Sequence, residues 1–306
     1  MSLCLHGETT ISDGWALSVV SNCSDKEHLF PSIEHWSQVL YCRFPYLRSM
    51  TADEPSEAGT VGATETTFAI IEHLREAGGE RVTALAEELD ISKSTVHNHL
   101  RTLTRLGYVV KDGSTYHLGL KFLDLGDAAR ARRNLYDVAK QEMDELVSTI
   151  DEHGHVMVEE MDRGVYIYQS KTERAVQTDS HIGTTVDLHA TAVGKSYLAH
   201  LPEDRQQELL NQLEFTQRTE STHTDREALQ SELADIRQQG YALNDQEAFA
   251  GMRAVGAPVL GPNDQVLAAI SISGPTTRMS GDRYRSELPE MVQETARIIG
   301  IRATYS

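Results

Sequence analysis

Cysteine is scarce in this chain: three in 306 residues, Cys4, Cys23 and Cys42, all within the first 49 positions. An odd number so placed argues against a disulfide framework, and no CxxC pair supplies the usual spacing of a zinc site. Tryptophan is confined to Trp15 and Trp36. No apolar run approaches the roughly 20 residues of a membrane span. The opening MSLCLHGETTISDG also lacks the basic start and long apolar stretch of a secretion signal. A cytoplasmic protein without a membrane partner is therefore expected. Basic charge is short as well, with 28 Lys and Arg against 46 Asp and Glu and a net charge of −18. Such acidity maintains solubility in concentrated salt at the cost of self-repulsion, which points to a halophilic source. High salt weakens phosphate contacts, so shape and base contacts gain relative importance for any nucleic-acid partner.

Against that acidic background one stretch is cleared of carboxylates: none falls between Asp90 and Asp112. A protein that touches a polyanion must remove acids from the contact face. The segment Val82 to Leu118 holds two short helical patterns joined by Asp90 and Ile91, then a hairpin pattern. Ser92 suits the N-cap of the second helix, because its hydroxyl can accept from a free amide of the first turn. Val96, Leu100 and Leu103 recur at i, i+4 and i+7, which places one apolar face inward. The other face carries Lys93, Ser94, Thr95, His97, Asn98 and Arg101, residue types that reach phosphates and base edges. Gly107 stops this helix, and two strands then alternate around Lys111-Asp112-Gly113-Ser114, a turn signal with a cation at its tip. The reading is a winged helix-turn-helix whose DNA contacts are Ser92, Lys93, Ser94, Thr95, His97, Asn98, Arg101 and Lys111.

Length allows about two domains. Residues 1–65 read as an N-terminal extension, disordered or arising from a mis-assigned start, with Met50 as candidate initiator before an acidic, glycine-containing run. Residues 66–119 form the DNA-binding domain. Its first helix is expected over Thr66 to Glu76, with Phe68, Ile71 and Leu74 inward. Residues 120–134 read as a linker helix ending in the cluster Arg130, Arg132 and Arg133, equally suited to a partner or to a solvated face. Residues 135–306 form a second domain. It opens with a helix from Leu135 to Ile150, followed by strands at 155–160, 164–170 and 175–179 with a hairpin connection at Asp162-Arg163-Gly164. Helices are expected at 192–201, 203–213 and 225–239, then apolar strands at 253–260 and 266–273 and a final helix over about 282–303. This irregular alternation with hairpin connections indicates an α+β domain on a mainly antiparallel sheet.

These motifs resemble the IclR family of transcriptional regulators over roughly residues 66–301. The resemblance is carried by ISKSTVHNHLRTLTRLGYV, LHATAVGKSYLAHLP, GYALNDQEAFAGMRAVGAPV and AAISISGP in that order. It implies a GAF-like effector-binding domain after the winged helix-turn-helix. It further implies a homodimer or homotetramer on a palindromic operator in double-stranded DNA, and a small-molecule effector, usually an organic acid. Position by position, it places the effector pocket on Ala192, Val193, Asn244, Ala254, Ser271 and Ser273. Asn244 stands where Asp is frequent and Ala254 where Cys is frequent; the amide adds a donor suited to an anionic ligand. Thr191 to Lys195 would open a helix whose free amides favour a carboxylate. Ser271 and Ser273, two apart on a strand, share one face while Ile270 and Ile272 take the other.

Rival readings are weaker. Gly194-Lys195-Ser196 matches the end of a P-loop, but His189 stands where that motif needs glycine. His153 and His155 have metal-pair spacing without a convincing third ligand, so a satisfied or exposed strand histidine is expected and no metal. No GxSxG or assembled nucleophile and base appears, so no catalytic residue and no cofactor are expected. The alternatives to a DNA-binding regulator are a ligand sensor acting through protein partners and, more remotely, an enzyme on a small carboxylic acid.

Overall fold

In the computed structural model of the chain, residues 59–176 and 180–305 are described. Cys4, Cys23, Cys42, both tryptophans and Met50 lie outside these residues, as does the end of the strand expected over 175–179; Ala175 and Val176 are not in a strand.

The first helix, α1 (Gly62–Ala77), starts earlier than Thr66. Its opening is polar but helix-compatible: the hydroxyls of Thr66 and Thr67 donate to the carbonyls of Gly62 and Ala63 at 2.9 and 2.8 Å. Ile70, Ile71 and Leu74 are buried, whereas Phe68, expected inward, is 57% exposed.

The winged helix-turn-helix follows as β1 (Glu80–Arg81), α2 (Val82–Glu88), α3 (Lys93–Leu106), β2 (Val109–Asp112) and β3 (Thr115–Leu118). Between α2 and α3 the chain reverses through Asp90, whose φ of 50° is the left-handed conformation that Asp tolerates better than most residues. Leu85, Val96, Leu100, Leu103, Val109 and Tyr116 are buried. Gly107 takes φ 83° at the end of α3, and its amide together with that of Tyr108 caps the carbonyls of Leu103 and Thr104. Lys121 adds a cation there, donating to the Leu106 carbonyl at 3.1 Å. Asp112 pairs with Thr115, so the loop is Gly113-Ser114 and Lys111 lies within β2, beside the Tyr116 ring, and not at the tip. β1, which alternation did not reveal, adds to β3 and makes a three-stranded sheet of order β1-β3-β2.

α4 (Lys121–Ala131) follows, with Leu120, Leu123 and Leu125 exposed around it. The basic cluster at its end is engaged: Arg130 pairs with Asp127, and Arg132 and Arg133 reach Glu160 at 3.0 and 3.3 Å.

The remaining residues build one six-stranded antiparallel sheet of order β6-β5-β4-β9-β8-β7. Its strands are β4 (His153–Glu160), β5 (Arg163–Ser170), β6 (Thr185–Val186), β7 (Ala242–Asp245), β8 (Met252–Leu260) and β9 (Val266–Pro275). β4 and β5 join through Met161-Asp162, both with positive φ, one residue earlier than Asp162-Arg163-Gly164. On one face lie α5 (Tyr136–Ile150) and, after a π-type turn at Arg283–Glu287, α9 (Leu288–Tyr305). Met143, Val147, Val156, Val255, Ile270, Ile272, Val292 and Ile299 form that core. On the other face lie α6 (Ala192–Ala199), α7 (Glu203–Gln212) and α8 (Arg226–Gln239), with Met157, Ala269, Leu198, Leu209, Leu229 and Leu233 in a second core. Asp225 caps α8 by accepting from the Ala228 amide at 2.8 Å, and Gly240 ends it at φ 81°. Among the described residues no helix is long and apolar enough to cross a membrane.

Candidate functional site

Two places gather functional side chains. The first is the outer face of α3. Ser92 has the extended backbone of an N-cap (φ −65°, ψ 143°) and accepts from the Thr95 amide at 3.1 Å. Its hydroxyl also lies 2.7 Å from Ser94 Oγ and 2.8 Å from Thr95 Oγ1, so the three hydroxyls are tied together at the helix start. Lys93, Ser94, His97, Asn98 and Arg101 are exposed and Thr95 is half-buried. One turn further on, the Arg101 guanidinium donates to Asn98 Oδ1 at 3.3 Å, so a long cation and an amide are presented side by side. The structure brings Lys111 to the same region: His97, Lys111 and Ser114 line a cleft of about 380 Å³ with Arg81, Val82, Thr83 and Tyr116. Arg81 and Thr83 were not anticipated. Only the pairing of Arg81 with Thr115 sets them beside the wing, and no local pattern signals it.

The second place is the face of the large sheet under α6. The register puts Asn244, Ala254, Ser273 and His153 in one row across β7, β8, β9 and β4. The adjacent row is Ala242, Gly256, Ser271 and His155. Ser271 is buried and Ser273 half-buried, so this serine face does not simply meet solvent. Ala192 and Val193 begin α6, capped by Thr191, which accepts from the Gly194 amide at 3.2 Å. A Cβ on Gly256 would lie 2.6 Å from the Ala192 carbonyl carbon and oxygen, so the glycine is what admits the helix start onto the strand. All the residues the family resemblance named thus converge, but Asn244 holds structure: its amide donates to the Ala190 carbonyl at 2.6 Å and its Oδ1 accepts from the Glu247 amide at 3.2 Å. One of the two amide hydrogens is thus used within the fold, where it positions the entry to α6.

His153 and His155 are neither exposed nor both satisfied. Both are buried, with ring centroids 4.3 Å apart, and His155 stacks 4.4 Å from Tyr166. Burial, with the Lys171 charge, lowers His153 to about 4; burial, with His153 beside it, lowers His155 to about 3. Both imidazoles are therefore neutral at neutral pH. Their spacing is visible in the sequence, whereas the serines opposite them on β9 are set by strand pairing.

Lys195 has no phosphate role open to it. Its fully buried ammonium donates to Glu232 at 2.6 Å and to both Glu247 oxygens at 2.7 and 2.8 Å. Burial raises the Glu247 carboxyl, and Lys195 acts in the opposite direction. His223, Glu232 and Glu247 offer ligand atoms within 4.8 Å of one another, but the Lys195 ammonium is already the cation on that cluster. A cleft of about 530 Å³ is lined by residues of the 218–221 and 246–250 loops, Ser271 and Ser273 not among them.

Known proteins share both halves. Residues 63–113 match the family described as IclR helix-turn-helix domain, and residues 128–301 that described as bacterial transcriptional regulator IclR C-terminal. The chain is 36% identical over 237 residues to the probable HTH-type transcriptional regulator ArcR of Halobacterium salinarum, covering 76% of this chain and 90% of that one. It is 33% identical over 256 residues to the HTH-type transcriptional regulator KdgR of Escherichia coli, covering 83% and 97%. Among solved structures, the Thermotoga maritima IclR superposes with a TM-score of 0.69 at 29% identity, covering 80% of this chain and 98% of that one.

Proposed function

The chain belongs to the IclR family of transcriptional regulators, and from that premise we propose that α3 reads a palindromic operator in double-stranded DNA, controlled by a small organic acid. The observation that carries the DNA reading is the exposed polar face of α3, free of carboxylates in a chain of net charge −18. Lys93, Ser94, Thr95, His97, Asn98 and Arg101 face the major groove, Ser92 caps the helix and touches phosphate, and Lys111 contacts the backbone from the wing. The reader works in the cytoplasm as a homodimer or homotetramer. Exposed Leu120, Leu123 and Leu125 on the helix between residues 120 and 134 support self-association. DNA reading is assigned to residues 66–119 and effector control to 135–306.

The effector site comprises Ala192, Val193, Ala254, Ser271 and Ser273, with Asn244 behind them. Backbone amides at the start of α6 and two hydroxyls across the sheet supply donors for a carboxylate. The effector alters operator affinity only through its different affinities for two arrangements of the reading heads. As the effector of a regulator, the acid is released unchanged.

The test is genome-wide binding of the tagged protein, repeated with Arg101→Ala. Sharp peaks sharing a palindrome, lost in the variant, are expected, with an in vitro loss of about 1–3 kcal/mol and steep salt dependence. A helix-turn-helix used for protein contact would show neither peaks nor a salt slope. No change of operator affinity across a broad panel of small acids would refute effector control.

A further inference from the structure

His153 is only 2% exposed, yet neither of its ring nitrogens has a hydrogen-bond partner among the described residues. Buried polar groups are almost always paired, so an unpaired imidazole demands an explanation. Its surroundings provide one. Across β9, Ser273 lies opposite His153 and Ser271 opposite His155, so two imidazoles and two hydroxyls occupy a square on one face of the sheet. His155 is fixed from the other side: its Nε2 is 3.3 Å from both the Gln169 amide nitrogen and Ser180 Oγ, and its ring stacks on Tyr166. The amide of Gln169 donating to Nε2 places the His155 proton on Nδ1.

Resting on the effector site proposed above, the structure assigns His153 and His155 to ligand recognition: His153 donates an imidazole N–H to one carboxylate of the effector, and His155 backs it. The groups facing the pair are Tyr166 and Gln169 of β5, Ser271 and Ser273 of β9, and Lys171 and Ser180 beyond β5. Lys171, whose charge acts on His153, disfavours a metal cation there and favours an anion. Neutral imidazoles in the ligand-free protein also make recognition proton-linked. A carboxylate against the pair stabilises the protonated form, so binding takes up a proton and tightens as pH falls below neutrality.

The test is calorimetric titration of the full chain with sodium benzoate and sodium pyruvate at pH 8, 7 and 6, in two buffers of different ionisation enthalpy. The uncharged amides of both acids are the controls. Wild type should bind a carboxylate but not its amide, more tightly at pH 6, with proton uptake. His153→Ala should weaken binding about tenfold to hundredfold, the range of a lost hydrogen bond to a charged group. His153→Gln should abolish proton uptake and weaken carboxylate binding, with the circular-dichroism spectrum of the folded protein retained. Wild-type binding and proton uptake in both His153 variants would overturn the inference. If Ser273→Ala weakens binding while both His153 variants do not, the effector site stands and the histidine role fails. If neither acid binds the wild type and no other acid shifts operator affinity, both readings fail together.

Discussion

Replacing Lys195 by Met should destabilise the C-terminal domain severely, and more at high pH than at low. The side chain is fully buried, and its ammonium donates to Glu232 on α8 and to both oxygens of Glu247 in the β7–β8 loop. Met fills similar volume but leaves both carboxylates without their cation. Removing one partner of a buried ion pair costs about 3–5 kcal/mol, because the remaining charge is left desolvated. Most of that falls on Glu247, whose side chain is 8% exposed; Glu232, at 27%, is partly screened by water. With a urea m-value of about 2 kcal/mol/M, the midpoint should drop by about 2 M at pH 7.5. Burial already raises the Glu247 carboxyl, and loss of Lys195 removes an influence that lowers it. A raised carboxyl keeps its proton in the folded protein, so stability is retained at low pH and lost as pH rises through the folded value. The deficit against wild type should therefore shrink by up to about 1.4 kcal/mol for each pH unit between 7.5 and 5.5. Adding Glu247→Gln to the variant should recover at least about 1 kcal/mol by removing the stranded charge. Urea melts followed by circular dichroism at both pH values measure this. A deficit below about 1 kcal/mol, or one identical at both pH values, would refute the account.

Three further outcomes follow from the geometry. Ser92→Ala removes the acceptor for the Thr95 amide and should cost about 1 kcal/mol of DNA-binding-domain stability, seen as a lower urea midpoint. Gly256→Ala drives a Cβ to 2.6 Å from the Ala192 backbone, so α6 must shift; a loss of about 1–3 kcal/mol is expected, with weaker effector response. His153 and His155, lowered to about 4 and about 3, stay neutral in the fold while the unfolded chain protonates near 6.5. Stability should thus fall as pH drops below 6.5, by up to about 1.4 kcal/mol per proton and pH unit, and the His153→Gln, His155→Gln double variant should flatten that slope.

Much of the chain was legible in advance because the relevant signals are local. Helix caps at Ser92, Asp225, Gly107 and Gly240 depend on residues within a turn of the helix end, and apolar spacing marked Val96, Leu100 and Leu103 as the inward face of α3. Alternation likewise put Ile270 and Ile272 in one core while Ser271 and Ser273 took the other face. The effector residues came from the family resemblance, since their convergence depends on pairings between segments far apart in sequence. Short strands were missed where pairing partners create them: Arg81 is a strand residue only because Thr115 lies opposite, and β7 only because β8 does.

By itself, then, the sequence determined the helix-turn-helix and its polar reading face, because a helix of period 3.6 sorts its residues inward or outward without reference to anything distant. Only the tertiary structure decided what the buried polar groups do. Asn244 became a brace for Ala190, Lys195 the centre of an ionic knot, and His153 a buried imidazole on the strand position opposite Ser273. The physical reason is that a buried polar group takes its role from the partner it finds, and strand register, set by the whole sheet, chooses that partner.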